Sequence, residues 1–137
     1  MQGFSQVPGV NYFDTFAPVA RLASIQTVLA FAAAEDYEIG QIDIKLAYLN
    51  GELTKDEVVF MRQVPGYEVV DKEKGVLVCR LKKSLYGLKQ ARQRWYQKLV
   101  DIMLKLGFER CKGDQAVFYR RCKRTNVLIV VLVHIVL

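Results

Sequence analysis

The spacing of apolar and polar residues along this chain changes period several times, and each change marks an element. Ile25, Val28, Leu29 and Ala32 recur at helical intervals. That stripe predicts a helix over residues 25–36, with Ser24 as its cap. Period two follows. Ile42 and Ile44 share one side and Gln41 and Asp43 the other, which predicts a strand over residues 38–44. Asn50-Gly51 is a turn signal. Val58-Val59-Phe60-Met61 reads as a short strand ended by Val64-Pro65-Gly66, and a second strand opens at Gly75 and runs to Leu81. Leu88, Ala91, Trp95, Leu99, Ile102, Met103 and Leu106 then form a longer stripe at spacings of three and four. It predicts a helix over residues 88–106 that Gly107 stops. Ala116-Val117-Phe118-Tyr119 and the apolar run 127–137 read as a hairpin, with the basic stretch 120–124 near its turn. Residues 1–20 hold two glycines and two prolines without periodicity and read as an extended, loop-rich start.

Antiparallel strands mixed with helices place the chain in the α+β class, with a small antiparallel sheet and helices packed on one face. The length of 137 residues suits one small domain. The run 127–137 is about half what a bilayer span needs, so it reads as a buried strand and no membrane association is expected. At a chain end, such an apolar strand invites pairing between molecules.

Composition changes the picture in one respect. Hydrophobic residues make up 52% and charged residues 25%, as in ordinary globular proteins. The net charge, however, is +6 and the pI about 9.3, which favours polyanionic partners, nucleic acid first. The charge is uneven: Lys74, Arg80, Lys82, Lys83, Lys89, Arg92, Arg94 and Lys98 follow one another with no acidic residue between them, interleaved with Tyr86, Trp95 and Tyr96. Basic side chains among aromatics suit a nucleic-acid groove; lysines flanking a helix as a solvated face give the same pattern. Trp95 lies on the apolar stripe and is assigned to the core. Lys82, Lys83, Lys89 and Arg92 are the candidates for phosphate contact. The three cysteines form no CxxC pair, which argues against a zinc site or a disulfide framework. Reduced thiols and the lack of a secretory signal fit an intracellular location, cytoplasmic or nuclear.

Several segments resemble the reverse transcriptase of copia-type LTR retrotransposons. They are Gly3-Phe4-Ser5-Gln6, Pro8-Gly9-Val10-Asn11-Tyr12, Thr15-Phe16-Ala17-Pro18-Val19, Gln41-Ile42-Asp43-Ile44-Lys45, Ala47-Tyr48-Leu49-Asn50-Gly51, Phe60-Met61-Arg62-Gln63 and Pro65-Gly66-Tyr67. The most specific is Leu81-Lys82-Lys83-Ser84-Leu85-Tyr86-Gly87-Leu88-Lys89-Gln90-Ala91 with Trp95-Tyr96. The resemblance runs nearly end to end in the family's order. It implies the palm and part of the fingers of a right-hand polymerase, which extends a primer on a nucleic-acid template by two-metal chemistry, with Mg²⁺ expected. It also implies that fingers residues would precede Met1, and that a thumb, primer grip and ribonuclease H would follow Leu137.

Carried over residue by residue, the resemblance makes Asp43 the first catalytic aspartate and a metal ligand. From the residues alone, an exposed aspartate at a strand end is equally open. Tyr48 matches the position that packs on the incoming sugar, where a core tyrosine is the alternative. Tyr86, Gly87 and Lys89 match the segment lining the nucleotide pocket, and Arg21 a fingers residue that meets the triphosphate. The departures lie elsewhere. The family's Tyr-x-Asp-Asp turn falls at Val131-Leu132-Val133-His134, so Val133 and His134 replace two aspartates. Valine binds no cation and neutral imidazole is a poor ligand for Mg²⁺. The family's Gln-Ala-Pro-Arg-x-Trp also becomes Gln90-Ala91-Arg92-Gln93-Arg94-Trp95, and Gln26 stands where arginine is usual. The expectation is a catalytically inactive piece of a retrotransposon polyprotein. Two alternatives stay open: a non-catalytic nucleic-acid-binding module, and a truncated or frame-shifted reading of an active polymerase.

Overall fold

The computed structural model describes residues 3–73, 75–121 and 128–133. The architecture is mixed α and β. Its helices are α1 (Leu22–Ala34) and α2 (Ala91–Lys105). The described strands are β1 (Phe60–Arg62), β2 (Val70–Asp71), β3 (Gly75–Val76), β4 (Val78–Arg80), β5 (Glu109–Arg110), β6 (Val117–Arg121) and β7 (Leu128–Leu132). They pair antiparallel in small sheets: β1 with β4, β2 with β3, and β5–β6–β7. Two compact units divide the chain, the first Met1–Thr15 with Leu46–Trp95, the second Phe16–Lys45 with Tyr96–Leu137. No helix among the described residues is long and apolar enough to cross a membrane.

In the first unit, β1 runs against β4 with Phe60 opposite Arg80 and Arg62 opposite Val78. The ladder continues through the Leu81 N–H, which donates to the Val59 carbonyl at 2.9 Å. The single strand expected from Gly75 to Leu81 is broken at Leu77. Its carbonyl accepts from the Gln63 side chain at 2.8 Å instead of from a strand, so β3 and β4 pair with different partners. Period-two alternation turns Val59 inward, where it is buried with Leu88 and Ala91, and Tyr48, Leu53, Leu81 and Leu85 pack around them. Helix α2 starts at Ala91 rather than Leu88. Leu88 is buried in the turn before it, which Leu88 and Ala91 close by donating to the carbonyls of Leu85 and Leu88.

Asn50-Gly51 makes no hairpin. Gly51 ends a 3₁₀ turn (Ala47–Asn50) with an ordinary φ of −74°. It must be glycine for a different reason. A Cβ there would lie 2.8 Å from the Trp95 nitrogen, 2.9 Å from the Arg94 carbonyl carbon and 2.9 Å from Ser84 Oγ.

In the second unit, α1 begins before the expected cap. Arg21 holds the cap position without a side-chain bond, and Ser24 lies inside the first turn. A helix start leaves backbone N–H groups without internal partners, and a distant residue supplies the acceptor. One carboxylate oxygen of Asp114 accepts from the Arg21 N–H at 2.9 Å and from Ser24 Oγ at 2.6 Å, while the other accepts from the Ala116 N–H at 3.0 Å. The Ser24 hydroxyl and then the Arg21 N–H hold the Asp114 carboxyl below its ordinary pKa, against the opposing effect of burial. Both helices end in left-handed caps. Gly107 has φ 79°, and the N–H groups of Gly107 and Phe108 donate to Leu104 and Met103, the double bond of a Schellman cap. Asp36, at φ 54°, does the same for α1, with the Tyr37 N–H donating to Ala32.

The β6–β7 hairpin forms as expected, with Val117 opposite Leu132 and Arg121 opposite Leu128. Of the basic stretch 120–124 expected near its turn, Arg120 and Arg121 belong to β6 and the rest lies outside the described residues. Tyr96 ties α2 to this sheet, its hydroxyl donating to the Gln115 carbonyl at 2.8 Å. The strand expected over residues 38–44 is absent: these residues are irregular, and Ile42 is 89% exposed. A strand exists only as a pairing, and β7 pairs with β6. No edge in the described sheets is paired to the segment around Asp43, so its alternation goes unused.

Two predictions follow from this packing. Gly51→Ala should lower stability by about 2–3 kcal/mol, because backbone atoms cannot move aside for a methyl group. Gly40→Ala, where nothing lies within 4 Å, should be near neutral; urea melts of both variants check this. The Asp114 cap should be acid-sensitive. Its folded pKa lies below the unfolded value, so its stabilisation is complete above about pH 4 and is lost as pH falls through the folded pKa. Asp114→Asn should cost about 1 kcal/mol at pH 7 and flatten that acid limb. An unchanged acid limb in pH-dependent melts would remove Asp114 from the account.

Candidate functional site

The residues assigned to a nucleotide pocket gather mainly on the segment before α2. Ser84 is completely buried. Its N–H donates to the Gly51 carbonyl at 2.8 Å and its hydroxyl donates to the Tyr48 carbonyl in a short contact. These bonds fix the 3₁₀ turn that carries Tyr48 against the segment that carries Tyr86. The two rings meet edge to face, centroids 4.8 Å apart and planes at 62°. Tyr48 is half-buried, whereas Tyr86 is 50% exposed. Next in sequence, Gly87 has φ 91°, a left-handed conformation that disfavours any side chain, and its carbonyl lies where a Cβ on Gly3 would stand.

Lys89 splits its roles. Its backbone N–H donates to Gln6 Oε1 at 2.9 Å, while its side chain is exposed, as are those of Lys82 and Lys83. Arg92 is half-buried. Asp43 and Arg21 belong to the second unit: Asp43 is exposed on the irregular segment, and Arg21 is exposed at the start of α1.

Pattern reading missed the polar residues that hold this segment. Gln90 is completely buried and both ends of its amide are used. Its Nε2 donates to the Asn11 carbonyl at 3.0 Å and its Oε1 accepts from Gln6 Nε2 at 3.0 Å. Asn11 Nδ2 in turn donates to the Val58 carbonyl at 3.1 Å. Farther along, Gln93 donates to Asp14 at 2.7 Å. Glu57, also buried, accepts from the N–H and hydroxyl of Thr54, and Arg94 Nε lies 2.7 Å from its Oε2. That N–H does not point along a hydrogen bond, so the contact is a charge pair by distance. No periodicity marks these polar residues: Gln90 lies off the stripe of Leu88, Ala91 and Trp95, where a surface glutamine would also stand.

The family described as reverse transcriptase (RNA-dependent DNA polymerase) matches residues 1–137. The chain belongs to the reverse transcriptase family. Its curated relatives are retrotransposon polyproteins, in keeping with the copia-type motifs. It is 39% identical over 132 residues to the retrovirus-related Pol polyprotein from transposon TNT 1-94 of Nicotiana tabacum, covering 96% of this chain and 10% of that protein. Against the polyprotein from transposon RE1 of Arabidopsis thaliana the identity is 39%, over 96% of this chain and 9% of that protein. Against the transposon Ty1-H Gag-Pol polyprotein of Saccharomyces cerevisiae it is 34%, over 80% of this chain and 6% of that protein. The chain thus spans about a tenth or less of the length of these relatives. No solved structure matches it.

Among the described residues, this reverse transcriptase chain brings together no donor set of the kind that divalent-cation chemistry needs. Asp43 stands on an irregular exposed segment with no strand to aim it. Position 133, where the resemblance puts a catalytic aspartate, holds a valine that is 8% exposed. Its N–H donates to the Ala116 carbonyl at 2.9 Å and its carbonyl accepts from the Ala20 N–H at 3.1 Å. His134 lies outside the described residues. Among the described residues, no three of His, Cys, Asp and Glu converge as cation ligands. The described residues do not fit a two-cation site.

Proposed function

We propose that this chain is a palm-and-fingers portion of a copia-type retrotransposon reverse transcriptase that has lost polymerisation and keeps a sequence-insensitive contact with nucleic acid. Val133 carries the reading. A side chain without a lone pair, buried at the end of β7, stands where the family's turn supplies an aspartate. Two cations about 4 Å apart repel strongly unless bridging carboxylates offset their charge. On this reading Asp43 is the one remaining ligand position, and Mg²⁺ is not held productively.

Within the first unit, the nucleotide-pocket assignment rests on Tyr48, Tyr86, Gly87 and Lys89. It draws support from the Tyr48–Tyr86 ring contact, the left-handed Gly87 and the exposed Lys89 side chain. Exposed Lys82, Lys83 and Lys89, with half-buried Arg92, supply phosphate contacts. Such contacts fix position without reading bases.

Purified chain should show no template-dependent incorporation in primer extension on RNA with Mg²⁺ or Mn²⁺; incorporation above a no-enzyme control would overturn the proposal. Binding is tested separately. Replacing Lys82, Lys83, Lys89 and Arg92 together by alanine should remove most affinity for nucleic acid of any sequence and reduce its salt dependence. Equal affinity in the four-site variant would exclude this cluster.

A further inference from the structure

The β1–β4 ribbon offers a second surface, apart from the residues assigned so far. Side chains directly opposite in an antiparallel pair lie on the same face, and the face alternates at each step. Val59 and Leu81 sit across from each other and belong to the core. One step on, Phe60 is opposite Arg80, and two steps later Arg62 is opposite Val78. These four side chains therefore share the face turned away from the core. All four are exposed, Phe60 at 55%. The face carries two guanidinium groups and no carboxylate. Among the described residues, neither arginine takes part in an ion pair.

The register sets the spacing. Arg62 and Arg80 are diagonal neighbours, about 7–8 Å apart along the ribbon, with the Phe60 ring directly across from Arg80. An aromatic ring offers a platform to any base, and flanking guanidinium groups meet phosphates. A lone exposed phenylalanine is ordinary. Its pairing in register with two unneutralised arginines gives the surface a sign and a partner, a polyanion with flat apolar groups.

We propose that the outer face of the β1–β4 ribbon binds single-stranded nucleic acid, Phe60 stacking on a base while Arg62 and Arg80 hold neighbouring phosphates. Its residues are other than those of the cluster Lys82, Lys83, Lys89 and Arg92, and the proposal rests on the proposed function only for the class of partner.

The test titrates the whole chain with oligothymidylate and with heparin, a polyanion without bases, over a range of salt. Phe60→Ala should weaken oligothymidylate binding about tenfold and leave heparin binding unchanged, and Phe60→Trp should restore it. Arg62→Ala with Arg80→Ala should weaken both ligands and reduce the oligothymidylate salt slope by about 1.4, or 0.7 for each phosphate. Should Phe60→Ala melt early, Phe60→Leu removes the ring while keeping the bulk. Oligothymidylate binding that survives loss of the ring overturns the proposal, as does an equal loss for heparin. A loss confined to the four-site lysine and arginine variant overturns the ribbon and keeps the cluster. A loss confined to the ribbon variants upholds the ribbon and overturns the cluster. Failure of the unmodified chain to bind either ligand overturns both.

Discussion

The first unit depends on a contact with no room for a side chain. Gly51 sits against the first turn of α2 and against Ser84, with backbone atoms under 3 Å from where a Cβ would be. Bringing two backbones this close lets one hydroxyl do the work of a longer linkage. Ser84 donates to the Tyr48 carbonyl and its own N–H reaches the Gly51 carbonyl, so the 3₁₀ turn and the segment before α2 form one piece. The Tyr48–Tyr86 ring contact follows from that junction, because the turn and the segment each carry one ring.

Closeness of this kind buries polar groups, and each needs a partner. An unbonded buried amide costs on the order of 1–3 kcal/mol. Gln90 meets the requirement by spanning Gln6 and Asn11. These bonds anchor the N-terminal segment without any regular strand. Several motif residues through which the chain resembles its family are thus structural: Gln6, Asn11, Gly51, Ser84 and Gln90 close the scaffold, and Tyr48, Tyr86 and Lys89 are what it presents. Glu57 is the less settled part of this network. It pairs by charge with Arg94, yet its second oxygen is buried without a hydrogen-bond partner among the described residues.

Local periodicity revealed the elements whose stability is local. The β6–β7 hairpin, the apolar stripe of α2 through Trp95, Leu99 and Met103, and the Gly107 stop all depend on neighbours in sequence. What escaped depends on distant residues. The cap of α1 comes from Asp114, far along the chain, so Ser24 looked like the cap and is instead one of the groups Asp114 binds. Gly51 looked like a turn glycine because Asn-Gly favours positive φ, but its φ is negative and its constraint is a neighbouring backbone. The alternation around Asp43 is real in sequence, yet strands are defined by partners and this segment has none among the described residues. The family motif singled out Tyr48 and Tyr86, whose rings meet. The polar anchors were not legible, since a buried glutamine is indistinguishable from a surface one until its partners are known.

Fold and catalysis make opposite demands at the end of β7. A carboxylate buried there would need a cation to offset its desolvation, and an uncompensated one costs several kcal/mol or is neutralised by taking up a proton. Valine carries no such cost. Its backbone is bonded on both sides, to Ala116 and Ala20, and its side chain is buried. On the proposed reading, losing the aspartate at this position therefore removes chemistry without removing a support of the fold, and no structural penalty selects against it. The surfaces proposed to meet nucleic acid lie on other residues. Lys82, Lys83, Lys89 and the ribbon arginines project from the first unit, whereas Val133 lies in the second. A chain of this kind can lose its metal chemistry at one strand end and keep its attraction for a polyanion, because the two properties reside in different residues held by different contacts.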